Sequence, residues 1–104
     1  MFGISMMEQA KRNRVKIKRK ACKKLVKGFK KNLRSAIKEG RTSTNINISE
    51  TLIFGVPTEL QIEIYEDAME VLKNHYGNEV VFDIERHGCM NSHKRLRGII
   101  QPVK

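Results

Sequence analysis

One strongly basic segment, Lys11–Arg41, constrains this chain of 104 residues more than any other feature. It holds 15 of the 21 lysines and arginines and a single acid, Glu39. Apolar residues recur through its second half at the three- and four-residue spacing of one helix face. Ser5 with Glu8 forms a capping-box pattern, and Gly40 stands where a helix C-terminal glycine is common. We therefore predict a helix that begins just after Ser5 and ends near Gly40.

The positive charge of this predicted helix lies on one side. On a helical wheel the apolar arc contains Cys22, Leu25, Val26, Phe29, Leu33, Ala36 and Ile37. Beside it lies a basic arc of Lys16, Lys20, Lys23, Lys27, Lys30, Lys31, Arg34 and Lys38. The third arc is small and neutral, with Ala21, Gly28, Asn32 and Ser35. The basic arc has no acid partner four residues away, so we expect an anion to relieve its repulsion.

The length predicts one small domain, 1–104, whose first helix has two unlike halves. Upstream of Ala21 the apolar arc is interrupted by lysines, so residues 5–20 are predicted to project as a polybasic helical arm. Residues 21–104 are predicted to form the packed body. The net charge of +10 is uneven, because residues 42–93 carry two bases and nine acids. An alternative is that the acids of this middle region neutralise the positive charge of the helix within the fold or in a dimer.

The rest of the chain predicts an α+β fold in the order α-β-α-β-β. A half-buried strand is expected at Thr44–Ser49, and an apolar run, Leu52–Phe54, either extends it or forms a separate turn. A second helix is expected at Thr58–Tyr76, with acids along its outer face. Two further strands, Val80–Arg86 and Leu96–Gln101, are expected to pair as a hairpin. The second helix would then pack on a small sheet of about three strands.

The residue types of reactive sites are few and poorly spaced. His87, Cys89 and His93 share one loop, and Cys22 or His75 would be needed as a fourth zinc ligand. The spacing lacks the paired signature of structural zinc, so no metal site is predicted. A cysteine and a histidine two residues apart do not identify a catalytic pair, since such pairs are recognised by geometry. We therefore predict no catalytic residue, no cofactor and no enzyme, and a core or interface role for His75.

A second basic cluster follows that loop. Lys94, Arg95 and Arg97 are expected to bind phosphates, and to form one positive surface with the helix if the fold brings them together. The alternative is a charged strand end that only aids solubility. Aromatic residues are few and mostly in core-like positions, so a stacking platform for single strands is not expected.

The leading functional prediction is a small, non-enzymatic nucleic-acid-binding accessory protein that contacts the phosphate backbone with little sequence readout. The alternative is a regulator of the phage or mobile-element type that inhibits or recruits a host protein or nucleoprotein complex. A homodimer is a further possibility, because Ala21, Gly28 and Ser35 recur every seven residues and would let two helices approach closely. No apolar run approaches a membrane span, and two distant cysteines do not form a disulfide framework. A cytoplasmic or nuclear location is therefore expected.

Overall fold

The structure of this chain is a computed structural model that describes residues 5–48, 56, 58–87 and 93–102. Within these residues the fold contains two α-helices, one short 3-10 helix (Gly77–Glu79) and three strands. The elements in chain order are α1 (Met6–Lys38), β1 (Ser43–Ile46), α2 (Thr58–Tyr76), β2 (Val80–His87) and β3 (His93–Ile100). The predicted α+β class and the order α-β-α-β-β are confirmed.

Both helices begin or end on the residues that the sequence indicated. The Ser5 hydroxyl accepts a hydrogen bond from the Glu8 N–H at 3.2 Å and caps the start of α1. Gly40 and Gly77 have positive φ angles of 76° and 61°, which glycine adopts without strain, and they follow the last turns of α1 and α2.

The three strands form one antiparallel sheet in the order β1-β3-β2. Strand β3 pairs with β1 on one side and with β2 on the other, so Leu96 stands between Ile46 and Ile84. The two outer strands are therefore parallel to each other, and α2 connects them across the central strand as in a split β-α-β unit.

Two strand boundaries differ from the prediction by three residues, and the others agree within one residue. Strand β1 ends at Ile46 rather than Ser49, and the Ile48 N–H donates to the Tyr65 hydroxyl instead of a neighbouring strand. Strand β3 begins at His93 rather than Leu96, because pairing with β2 continues to the end of that strand. The apolar run Leu52–Phe54 lies outside the described residues.

Both helices cover the same face of the sheet. The buried core contains Leu25, Phe29 and Leu33 from α1, Leu60, Ile64, Tyr65 and Leu72 from α2, and Ile46, Val80, Phe82 and Leu96 from the sheet. The rings of Phe29 and Phe82 lie 5.3 Å apart between centroids. Phe29 also packs directly on Gly98, where an added Cβ would lie 2.5 Å from its ring. The centre of the sheet is therefore shaped to receive this aromatic side chain.

The Tyr65 hydroxyl connects three parts of the fold. It accepts a hydrogen bond from the Ile48 N–H at 2.9 Å and donates one to the Lys94 carbonyl at 2.8 Å. The side chain is buried, so these bonds are shielded from water. Helix α2 is thereby tied both to the residue that follows β1 and to the start of β3.

The buried face of α1 is rotated from the predicted one. Ala21 is 1% exposed, whereas Ile37, which was expected in the core, is 58% exposed. The cause is β1, which lies against the small residues of the helix. An added Cβ at Gly28 would meet the Ile46 side chain at 2.5 Å, and the Asn32 amide donates to the Asn45 carbonyl at 3.1 Å.

This packing bears on the predicted homodimer. Ala21 and Gly28 are covered by the chain's own core, so within this fold they are not available to a second helix. Only Ser35 of the three small residues is exposed. Dimerisation through other surfaces of α1 stays a prediction.

His75 is the other residue that the helical wheel misplaced. It is exposed and makes an edge contact with the Tyr76 ring at 4.7 Å between centroids. The fully buried residues of α2 end at Leu72, so the last turn extends beyond the core and a core role for His75 is wrong.

Candidate nucleic-acid interface

The predicted basic arc of α1 faces solvent. Seven of its eight residues are exposed, and Lys30 is half-buried. The eight are Lys16, Lys20, Lys23, Lys27, Lys30, Lys31, Arg34 and Lys38. Within the described part of the chain, none of the eight forms an ion pair. Their charge is therefore not neutralised by an ion pair within that part of the chain.

Three further bases belong to the same surface. Arg12, Arg19 and Lys24 are exposed, and their wheel positions lie within or beside the predicted arc. They belong to the predicted basic segment, but they were not among the eight residues of the predicted basic arc. We call these three and the eight predicted residues the outer basic face. From Arg12 to Lys38 it extends about 39 Å along the helix, at a rise of about 1.5 Å per residue.

The bases on the inner side of the same helix meet acids of α2. Arg14 Nη2 lies 4.0 Å from Glu59 Oε1, and Lys18 Nζ lies 3.4 Å from Asp67 Oδ2. Neither pair was predicted, because each depends on how the two helices dock. The possible internal neutralisation by the acidic middle thus reaches only these two bases of α1 among the residues described.

Helix α2 presents an acidic stripe next to α1. Its five carboxylates are all exposed: Glu59, Glu63, Glu66, Asp67 and Glu70. They fall within about 100° of one another on a helical wheel. The helix layer is therefore two-signed, and a polyanion is attracted to α1 but repelled by the outer side of α2.

Arg95 and Arg97 do not join the outer basic face. Leu96 and Gly98, which alternate with them along β3, are buried under the helices, so the arginines project from the opposite face of the sheet. There both pair with Glu85: Arg95 Nη2 lies 3.2 Å from Oε2, and Arg97 Nη1 lies 3.5 Å from Oε1. The condition for a joint surface with the helix is therefore not met by these two residues, and their binding of phosphates stays a prediction.

The two arginines change the pKa of the Glu85 carboxyl group. The hydrogen bond from Arg95, helped by the charges of both arginines, lowers the Glu85 pKa below its usual value. A lowered pKa means that the pairing of Glu85 with the arginines stabilises the fold above the ordinary pKa, and that this stabilisation is lost as the pH falls through the lowered pKa.

Lys94, the third member of the second basic cluster, is half-buried and, by strand alternation, lies on the helix side of β3.

An open groove of about 350 Å³ lies between the first half of α1 and α2. It is lined by Val15, Lys18, Arg19, Cys22, Lys23 and Asp67. Burial raises the pKa of the Cys22 thiol, the Asp67 carboxylate raises it further, and Lys18 opposes both. A raised pKa favours the protonated thiol over the thiolate, which is the nucleophilic form.

The metal site considered at His87, Cys89 and His93 cannot be assembled from the described residues. No group of three or more His, Cys, Asp or Glu side chains in that part of the chain is placed to hold a metal. Cys89 and the side chains of His87 and His93 lie outside the described residues. The predicted absence of a metal and of catalysis stays a prediction.

Neither described helix combines the length and the apolar composition needed to cross a membrane. The comparisons with known proteins found no matching family model, no matching curated protein and no matching solved structure. A functional proposal for this chain therefore rests on its own geometry and charge.

Proposed function

We propose that this protein is a small, non-enzymatic nucleic-acid-binding accessory protein whose ligand contacts α1. The observation that carries the proposal is the outer basic face, which places eleven bases on one side of a single helix. No acid within the described residues neutralises these side chains. Such a surface is the usual electrostatic footprint of nucleic-acid binding.

The composition of this face favours contacts with phosphates over contacts with bases. Eight of its eleven residues are lysines, which act as flexible point charges rather than as the rigid forks of arginine. Phosphate contacts position a protein on nucleic acid without reading its sequence. We therefore expect high salt sensitivity and little sequence preference.

The decisive experiment measures the binding of fluorescent duplex DNA, duplex RNA and single strands across about 50–300 mM salt. About six phosphate contacts on duplex DNA give a log–log slope near −5. The variant Lys23→Gln, Lys27→Gln, Lys30→Gln, Lys31→Gln is expected to flatten this slope by about 3 to 4. The control Lys73→Gln with Arg86→Gln removes exposed bases from α2 and β2, and it is expected to bind like the wild type.

Two outcomes would contradict the proposal. One is the absence of binding to every nucleic acid at the lowest salt. The other is binding that the four-lysine variant and the control weaken equally. Circular dichroism of both variants verifies that the comparison is made between folded proteins.

A second candidate function, binding of a host protein or nucleoprotein complex, is favoured by the groove beside Cys22. Val15 there is 55% exposed although apolar, and the charged residues that line the groove are three bases and one acid: Lys18, Arg19, Lys23 and Asp67. We infer that an acidic protein segment with one apolar side chain would fit this composition. A regulator of the phage or mobile-element type would then use the groove to inhibit or recruit its target. The test is a nuclease-treated pulldown, in which Val15→Ser abolishes capture of one defined partner but leaves nucleic-acid binding intact.

A further inference from the structure

On the basis of the nucleic-acid binding proposed above, we propose that the ligand is B-form duplex DNA and that α1 lies in its major groove. The first support is the place of α1 in the fold. Gly28 and Asn32 contact β1, whereas Lys18 contacts α2, so among the described residues the neighbours of α1 lie on its inner side. The outer basic face is the convex outer side of one rod.

The dimensions of such a rod match one kind of groove. A helix with its side chains is about 10–12 Å across, and the major groove of B-form DNA is about 12 Å wide. The major groove of an RNA duplex is deep and narrow, and its minor groove is shallow, so neither accepts a helix in this way. A protruding helix thus distinguishes the two duplexes by shape.

The charges also match a groove with a strand on each side. On a helical wheel, Arg19, Lys23 and Lys30 form one flank of the outer basic face, and two of them line the groove next to α2. Lys20, Lys24 and Lys31 form the other flank, about 100° away. Between the flanks lie Lys16, Lys27 and Arg34. A helix in the major groove would place one flank on the phosphates of each strand.

Single strands lack a matching surface on this helix. Phe29 is the only aromatic residue of α1, and it is buried in the core. Binding of single strands without sequence preference normally combines a basic groove with exposed aromatic rings on which bases stack. The outer basic face supplies the charge without the rings.

The acidic stripe of α2 restricts the extent of the contact. Glu63, Glu66 and Glu70 are exposed on the neighbouring helix and repel phosphates that extend beyond α1. The contact is therefore confined sideways to α1, whose outer basic face extends about 39 Å from Arg12 to Lys38.

The test compares a DNA duplex, an RNA duplex of the same sequence and a DNA single strand at one salt concentration near 100 mM. Insertion into the major groove predicts binding to the DNA duplex at least about tenfold tighter than to either competitor. It also predicts that the bound protein protects guanine N7, a major-groove atom, from methylation by dimethyl sulfate.

Two triple variants test the two flanks separately. One is Arg19→Gln, Lys23→Gln, Lys30→Gln and the other is Lys20→Gln, Lys24→Gln, Lys31→Gln. Each is expected to weaken duplex binding to a similar degree and to reduce the salt slope by about 2 to 3. The control Lys73→Gln with Arg86→Gln is expected to leave both quantities unchanged.

The possible results separate this inference from the function on which it rests. Equal affinity for the DNA and RNA duplexes, or loss of affinity in only one flank variant, would overturn groove insertion while leaving backbone binding intact. Failure to bind any of the three nucleic acids would overturn both proposals and leave the protein partner as the remaining candidate. Tighter binding of DNA, protected N7 atoms and two equivalent flanks together support the inference.

Discussion

The two halves of α1 carry the same kind of outer charge but are held in place by different forces. In the second half, Ala21, Leu25, Phe29, Leu33 and Ala36 are buried in the core. In the first half, from Met6 to Lys20, no residue is buried, and two ion pairs reach α2. Exposed ion pairs contribute about 0–1 kcal/mol each, whereas a buried large apolar side chain contributes about 1.5–3 kcal/mol.

The exposed bases and the buried apolar residues of α1 therefore lie on separate faces of one helix. Lysines of the outer basic face contact no acid in the described part of the chain, so their removal leaves the core untouched. The first buried residue, Ala21, coincides with the expected boundary between arm and body. That division into an arm at 5–20 and a body at 21–104 stays a prediction, which the following experiments sharpen.

Removal of the Phe29 ring is expected to have the largest effect. Phe29→Ala leaves a cavity between α1 and the sheet, and it is expected to lower the free energy of unfolding by about 3–5 kcal/mol in urea denaturation. Val15→Ala is the matched change in the first half, where the side chain is 55% exposed, and it should cost less than about 0.5 kcal/mol. Similar losses of stability in both variants would contradict the conclusion that the two halves of α1 are held in place by different forces.

A methyl group added at Gly98, beneath the Phe29 ring, is expected to have the next largest effect. In Gly98→Ala the new Cβ would lie 2.5 Å from the Phe29 ring and 3.0 Å from Val80, so a loss of about 1–3 kcal/mol is expected on thermal denaturation. Gly28→Ala is the control, because its Cβ meets only the terminal methyl of Ile46. A gain in helix propensity of about 1 kcal/mol offsets that contact, so the control is expected to be nearly neutral.

Loss of the Lys18–Asp67 ion pair is expected to have a small and local effect. Asp67→Asn should lower the free energy of unfolding by less than about 1 kcal/mol, because both side chains are partly exposed. Amide hydrogen exchange should nevertheless accelerate before Lys18 and stay unchanged after Leu25. Glu70→Gln, which removes an acid outside any described ion pair, is the control. Uniform acceleration along α1 would show that the helix behaves as one unit.

The smallest expected effect concerns the thiol at the junction of the two halves. In a Cys89→Ser background, the rate of Cys22 alkylation by iodoacetamide should rise with pH around a midpoint above that of a free cysteine. Since the Asp67 carboxylate helps to raise the Cys22 pKa, Asp67→Asn should move the midpoint to lower pH. Mass spectrometry measures the rates, and an unchanged midpoint would contradict this role of Asp67.

Local patterns predicted most of the fold. The capping serine, the glycines after each helix and the alternation of Val80, Phe82 and Ile84 located α1, α2 and β2. The rotation of α1 was not predictable from its own sequence, because β1 selects the face that contains Gly28 and Asn32. A helical wheel predicts the buried face from hydrophobicity alone. It therefore takes no account of a strand that packs on the small side chains of the helix.

The candidate site was predictable to the extent that it depends on one helix. The outer basic face follows from the wheel, since every member lies on α1. The pairing of Arg95 and Arg97 with Glu85 depends on the register between β2 and β3, and the pairing of Lys18 with Asp67 depends on helix docking. Such contacts join residues far apart in the chain, for which local patterns carry no signal.

The central place of β3 has a consequence for how the protein is synthesised. In the described part of the sheet, β1 and β2 each pair with β3 and not with each other, yet both leave the ribosome before it. No strand of this sheet has its partner until β3 emerges, so β1 and β2 remain without their backbone hydrogen-bonding partner during elongation. We therefore expect the nascent chain to hold helical structure first and to complete its tertiary fold in a single late step.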